Sequence, residues 1–220
     1  MNNEFLNVLE NVSKEKETIS IFEKIAKELF YNYSIVSQGK NIYRFQEIEF
    51  YLYSNKHKDE TSHRNERQRK FGEWYVHRFS KLEKSKYSTF SSKVGLDLCL
   101  GNDNIYFAIL IRGIVKDNLI SGPIKVLNEL YGKDNRFIIG SKNYDNYIEY
   151  SKKIESKNIF EENEFLYLKK SKTKEEKIAF KIRTGLNSKK YNDFGIRNYK
   201  AISVCKIIIL FYYLAMQLIL

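Results

Sequence analysis

Three observations in the sequence predict a single domain of mixed α and β structure. At 220 residues the chain is long enough to bury a sizeable core as one unit. Residues 18 to 31 place apolar side chains at helical spacing, whereas residues 43 to 53 alternate with the period of two that a strand requires. Farther on, two apolar segments, Gly95 to Gly101 and Ile105 to Ile114, are joined by Asn102, Asp103 and Asn104, which are turn residues. With one proline and ten glycines, no stretch reads as a linker, and no repeat is visible.

The helix over 18 to 31 is read from Ile21, Phe22, Ile25, Ala26, Leu29 and Phe30, with Ser20 and Glu23 as a capping box. A turn through Ser37, Gly39 and Asn41 leads into the strand Tyr43 to Tyr53. Strict alternation puts Tyr43, Phe45, Glu47, Glu49, Tyr51 and Tyr53 on one side and Ile48, Phe50 and Leu52 on the other. Two glutamates on an aromatic wall suggest a recognition surface holding an acid or base. The same pattern also fits an ordinary strand whose glutamates pair with lysines.

The polar, basic segment Ser54 to Lys70 reads as a loop, where functional side chains concentrate. Phe71 to Phe79 reads as a strand with Trp74 and Val76 on one face, followed by a basic stretch, Lys81 to Lys93. Arg112 interrupts the apolar run of Ile105 to Ile114, and a charge there needs a partner or a ligand. Ser121-Gly122-Pro123 opens a helix lined by Ile124, Leu127 and Leu130 and stopped at Gly132. Phe137 to Gly140 and Glu164 to Leu168 are expected strands, and Lys169 to Lys181 a solvated lysine run. Residues 207 to 220 lack charge but fall short of the roughly 20 apolar residues that span a bilayer. They are read as a packed terminal element or atypical tail rather than a membrane anchor.

Lys and Arg outnumber Asp and Glu by 38 to 27, a formal charge of +11, which favours polyanionic partners. Seventeen tyrosines add the aromatic surface on which bases stack. Cys99 and Cys205 form neither a disulfide framework nor a zinc spacing, and the N-terminus is polar, so a reduced, cytoplasmic setting is expected. His57, Asp59 and His63 form H-x-D-x3-H, with His77 beyond. A metal site is conceivable there, but the spacing matches no standard signature and no metal is assigned. Cys99 lies in an apolar strand, where an inert buried thiol is the ordinary outcome.

A set of short segments then resembles, in order, the alkyladenine (3-methyladenine) DNA glycosylase family. Glu47-Ile48-Glu49-Phe50-Tyr51 looks like that family's E-T-E-A-Y, and Asp59 to His63 like its D-x-A-S-H, followed by an Arg-Asn pair at Arg64-Asn65. Gly72 to Val76 is similar to G-x-x-Y-V, Gly95 to Cys99 to G-M-Y-F-C, and Ala108 to Arg112 to V-L-L-R. Ser121 to Lys125 resembles S-G-P-x-K, and Arg183 to Leu186 resembles R-x-G-[IV]. The matches run colinearly from about residue 24 to residue 200.

The resemblance implies an α+β single domain, a curved, mostly antiparallel sheet with peripheral helices, over residues 1–200, with 201–220 as a hydrophobic C-terminal tail. It implies a DNA N-glycosylase that flips a modified base out of the duplex and hydrolyses its N-glycosidic bond with water. The family uses neither a metal nor a lysine Schiff base, so no cofactor is expected. By the same resemblance Glu49 is the general base, Arg112 positions Glu49 or the water, Tyr51 stacks on the flipped base and His63 bonds the base or a phosphate. Glu47 and Tyr75 would support the site. Three positions depart from the family: His77 stands where it has a second stacking tyrosine, Val94 where it has the wedging tyrosine, and Gly101 where it has a pocket asparagine. Asp97, a charge between Leu96 and Leu98, is either a paired buried carboxylate or a pocket residue that replaces that asparagine. The partner expected is double-stranded DNA with a modified base, without an obligatory protein partner or membrane. The alternatives are a nucleic-acid-binding module without chemistry, an N-glycosidase acting on a small nucleoside and, more distantly, a metal-dependent hydrolase.

Overall fold

The computed structural model of the chain describes residues 14–76, 94–137, 144–184 and 197–204, together with Asn7, Leu9 and Val12. Helix α1 (Glu15–Asn32) buries Phe22, Ile25, Ala26, Leu29 and Phe30, the stripe that their spacing predicts. It starts earlier than expected. The N-cap is Lys14 without a side-chain cap, and Thr18 Oγ1 donates back to the Lys14 carbonyl (3.0 Å), so Ser20 and Glu23 lie within the helix and cannot form the expected box.

A short strand absent from the sequence reading, β1 (Tyr33–Ser37), follows directly. The chain then reverses through Gln38 and Gly39, both in the left-handed region (φ 53° and 65°), and returns as the long β2 (Asn41–Tyr53). Tight hairpins select that backbone region because its twist matches that of the flanking strands.

One edge of β2 pairs along most of its length with β5 (Tyr106–Val115), while its other edge is shared by β1 at residues 41–44 and by β9 (Lys200–Val204) at residues 47–49. At this change of partner the β2–β5 register slips between Phe45 and Ile48. Gln46 is the extra residue on β2 and Arg112 on β5, so the two irregularities offset each other in register while each strand's facing inverts across them. Tyr43 and Phe45 therefore join Ile48, Phe50 and Leu52 in the core, and the predicted six-residue wall is reduced to Glu47, Glu49, Tyr51 and Tyr53. Tyr43 reaches through to donate its hydroxyl to Glu129 (3.0 Å). Gly113, opposite Glu47, permits the close approach: a Cβ there would lie 3.0 Å from that of Glu47.

β3 (Glu73–Val76) and β4 (Leu96–Cys99) extend the sheet beyond β5, and β6 (Leu119–Ser121) pairs with the end of β5 before helix α2 (Pro123–Tyr131) begins at Gly122. The charged segment left open by the sequence is helix α3 (Tyr144–Glu155). β7 (Leu166–Lys170) pairs with β1, and β8 (Lys177–Lys181) pairs with β9. The lysine run is thus only partly a solvated face. Lys177 and Lys181 are exposed, but the alternate residues Ile178 and Phe180 pack on the core. Residues 201–204 are paired strand, so the tail boundary at 201 cuts through β9, and residues 205–220 lie outside the described residues. Residues 138–140 of the strand expected at Phe137 to Gly140 also lie outside, while Phe137 itself is buried without strand pairing.

The result is an α+β single domain with a curled, antiparallel half-barrel sheet in the order β3-β4-β5-β2-β1-β7 and helices at its periphery. Every strand pair among the described residues is antiparallel. Helix α1 covers one face, where Phe22 stacks on Phe50 (centroids 4.2 Å, 7° between planes) and on Phe107 (5.7 Å). Each such buried ring contributes about 1.5–3 kcal/mol through removal of apolar surface from water. Among the described residues no helix is long and apolar enough to cross a membrane.

Candidate active site

Strand register decides which side chains meet on the face turned away from α1. Directly opposed residues of antiparallel strands point to the same side. One rank crosses five strands: Tyr75 on β3, Asp97 on β4, Leu110 on β5, Glu49 on β2 and Lys200 on β9. The next rank on that face sets Tyr51 beside Ala108 and Cys99, and Tyr53 beside Tyr106 follows. Arg112, one alternate position beyond Leu110 on β5, projects into the Glu47 and Glu49 end of the face.

Glu49 is fully buried and held through both oxygens. The backbone N–H of Thr184 donates to Oε1 (2.7 Å). Tyr51 donates its hydroxyl to Oε2 (2.9 Å), and the Arg112 guanidinium reaches the same oxygen at 3.5 Å. An ionised carboxylate offers about four acceptor positions, so these three donors orient it while leaving Oε1 able to accept from a water. Burial, and then the neighbouring charge of Glu49, hold the Tyr51 hydroxyl well above its ordinary pKa, so it remains a donor at neutral pH. Tyr51 and Arg112, the side chains bonded to Glu49, are themselves only partly exposed.

Glu47 lies two positions from Glu49 on the same strand. Its Oε1 takes Arg112 Nε at 3.3 Å and Lys200 Nζ at 3.4 Å, so Arg112 bridges the two glutamates. Lys200 also donates to Thr184 Oγ1 (2.9 Å). Asp97 is buried on the same face but separated from Glu49 by Leu110, which puts it about 10 Å away across two strand spacings. Tyr75 meets His63 at the outer end, with the hydroxyl 3.4 Å from Nδ1 and the rings edge to face at 6.1 Å. His63 is exposed there. Tyr53 and Tyr106 form the adjoining lip, with the Arg64 guanidinium 5.0 Å from the Tyr53 ring centre. His77 lies outside the described residues.

The segment Ser54 to Lys70 is a loop as expected up to Asn65, but part of it is buried. Ser54, His57, Asp59, Thr61, Ser62 and Gln68 are buried, and Asn65 with Gln68 caps a short 3-10 helix at Glu66–Arg69. The reason is Arg183, which arrives from the far end of the chain. Its guanidinium is buried and bonded to Asp59 (2.6 and 3.3 Å) and to the Phe50 carbonyl (2.9 Å). It also lies over the rings of Tyr51 (4.7 Å) and Tyr199 (5.3 Å). This anchorage fixes the next residue, Thr184, at Glu49. It also commits Asp59 to an ion pair and separates it from exposed His63, so His57, Asp59 and His63 do not converge. Among the described residues no three His, Cys, Asp or Glu side chains gather as metal ligands would.

Two departures from the glycosylase pattern acquire a structural meaning. Val94 is 1% exposed and packs in the core, so it cannot wedge into a duplex. Gly101 is wrapped by the 3-10 helix, and any Cβ there would overlap the carbonyl oxygens of Gln68 and Ile105. No side chain can point into the site from this position. Cys99 is buried and its thiol is pushed well above the usual pKa by burial, which makes it an inert core residue. A separate cavity of about 400 Å³ beside β1 and β7, lined by Tyr33, Phe160, Glu162 and Lys170 among others, includes none of the residues around Glu49.

Sequence reasoning missed Thr184 and Lys200 as members of the site. The Arg183-Thr184 segment was visible as a motif, but without a role; for Lys200 no local signal exists, because its neighbours in space are distant in sequence. No known protein family's sequence profile matches the chain. A protein of Acanthamoeba polyphaga mimivirus, named "Uncharacterized protein L759", is 32% identical over 190 residues, which cover 76% of this chain and 79% of that protein. The chain belongs to the same family as this mimivirus protein.

Proposed function

We propose that the chain is a DNA N-glycosylase that draws a modified base from the duplex and hydrolyses its N-glycosidic bond, with Glu49 as the general base. The observation that carries this reading is the Glu49 carboxylate itself, buried and oriented by Thr184, Tyr51 and Arg112 on an aromatic sheet face. A water on Oε1 would lose its proton to Glu49 as it attacks the anomeric carbon, and the carboxylate charge would stabilise the oxocarbenium character that develops there. Arg112 holds Glu47 and Glu49 in register, and His63 with Tyr75 at the outer end would receive the base or a backbone phosphate. The charge of +11 suits a DNA partner, and the site of action is the cytoplasm. The colinear resemblance to the alkyladenine DNA glycosylases supports the same chemistry.

The test is to incubate the protein with duplexes carrying hypoxanthine, ethenoadenine, alkylpurines or modified cytosines and to cleave abasic sites with alkali. Scission is expected on at least one substrate, with Glu49→Gln slower by about 10²–10⁴-fold. Absence of abasic sites on all of them, or an unchanged rate in Glu49→Gln, refutes the reading. Buried Val94 and closed Gly101 favour a second reading, a scaffold that binds nucleic acid without chemistry. Salt-dependent DNA binding that survives Glu49→Gln, with no turnover on any substrate, would identify it.

A further inference from the structure

Lys200 opens β9 directly opposite Glu49. In such a pair the two Cβ atoms lie roughly 4.5–5.5 Å apart, so the amine and the carboxylate rise from neighbouring points on one face. A lysine stem ordinarily carries its ammonium out to water. Here the side chain is 13% exposed and turns inward, with Nζ 2.9 Å from Thr184 Oγ1 and 3.4 Å from Glu47 Oε1. The same Thr184 gives its backbone N–H to Glu49, so one residue links the amine to the candidate base. This places a primary amine, a carboxylate that can accept its proton (Glu47) and a second oriented carboxylate (Glu49) around the spot where a sugar would bind.

We propose that Lys200 is a nucleophile that gives this site a second activity, cleavage of the DNA strand at an abasic deoxyribose through a Schiff base. The inference rests on the glycosylase reading for the placement of a sugar beside Glu49. It goes beyond it, since the resemblance implies a water-only route without a lysine intermediate. In the open-chain form of the abasic sugar, C1′ is an aldehyde carbon. Lys200 Nζ, its proton passed to Glu47, adds to C1′, and the carbinolamine loses the aldehyde oxygen as water to leave an imine protonated on nitrogen. Glu49 removes a proton from C2′. The electron pair released then expels the 3′-phosphate as the C3′–O bond breaks. Water hydrolyses the remaining imine and returns the free amine with an unsaturated aldehyde on the 5′ fragment. The water lost in forming the imine is regained in its hydrolysis, and no oxidant or reductant enters. Lysines shielded from water are a usual source of Schiff bases in enzymes, and the Lys200 side chain is 13% exposed.

The experiment uses the full chain and a duplex bearing a preformed abasic site, so base excision is not required. With sodium borohydride present, a covalent protein–DNA adduct is expected on a denaturing gel, and peptide mapping of the wild-type adduct places the reduced link on Lys200. Without borohydride, strand scission is expected before any alkali treatment. Lys200→Arg, which keeps the charge beside Glu47, loses both the adduct and the scission. Absence of an adduct from the wild-type protein, or an adduct mapped to another amine, overturns the proposal whether or not Lys200→Arg folds. Because the modified-base assay reads a different step, the lyase proposal can fail while base excision stands, and the reverse outcome is equally visible.

Discussion

One identifiable part of the acid destabilisation of this fold should come from the imidazole of His57. The ring is fully buried, 5.6 Å from that of Tyr199, and its pKa is lowered from 6.5 to about 4. Burial is the largest cause. Asp59 pulls in the opposite direction, but its carboxylate is already bound to Arg183, and the positive charges of Arg197 and Arg183 add to the penalty on a charged imidazole. A group whose folded pKa is depressed binds fewer protons folded than unfolded. Its contribution is therefore complete above pH 6.5, is lost as the pH falls toward 4, and changes little below that. With ~1.4 kcal/mol for each pH unit between 6.5 and about 4, this contribution comes to about 3 kcal/mol. Urea unfolding from pH 7 down to pH 3.5, on the wild-type chain and on His57→Gln, isolates it, because other groups titrating in that range cancel in the difference between the two. The wild-type advantage should shrink by about 3 kcal/mol across the window. A difference that stays constant from pH 7 to pH 4 would refute the reasoning.

Two further perturbations test the framework around Glu49. Asp59→Asn leaves the Arg183 guanidinium buried without its counter-charge and should lower unfolding free energy by about 3–5 kcal/mol, measured in urea at neutral pH. Adding Arg183→Met to that variant should recover part of the loss, and strict additivity in the double-mutant cycle would show that the pair does not interact. Gly101→Ala forces a Cβ against two backbone carbonyls that cannot turn aside, so a loss of about 1–3 kcal/mol is expected. An unchanged melting temperature for Gly101→Ala would mean that the 3-10 helix at Glu66–Arg69 is not packed on this glycine.

Much of the sheet was legible because strand alternation and turn chemistry are local. The hairpin from Gly95 to Ile114, the helix after Pro123 and the apolar stripe of α1 follow from residues within a few positions of one another. Tyr43 and Phe45 show where that logic stops. Their facing depends on a bulge placed where β2 exchanges β1 for β9, and no alternation within β2 encodes a change of neighbour. Gly113 was the one available hint, since a glycine inside an otherwise apolar strand often marks a bulge or a close backbone approach. The basic segment Ser54 to Lys70 was legible as a loop but not in which of its residues are buried. Its polar residues read as a loop, and nothing local shows that Ser54, His57 and Asp59 among them are buried, with Asp59 bonded to an arginine more than a hundred positions away.

The sequence by itself determined that Glu49 and Tyr51, two positions apart, share one face of one strand, and it marked Arg112 as a charge needing a partner. Those relations need only the period of a strand and the cost of burying an ion. Tertiary structure alone decided that Thr184, 135 residues from Glu49, would supply its backbone N–H, that Arg183 would pin that backbone to Asp59, and that Lys200 would face Glu49 across the β2–β9 ladder. Such partners are set by which strands pair and in which register. That choice is made by burying the whole core at once, not by any segment acting alone.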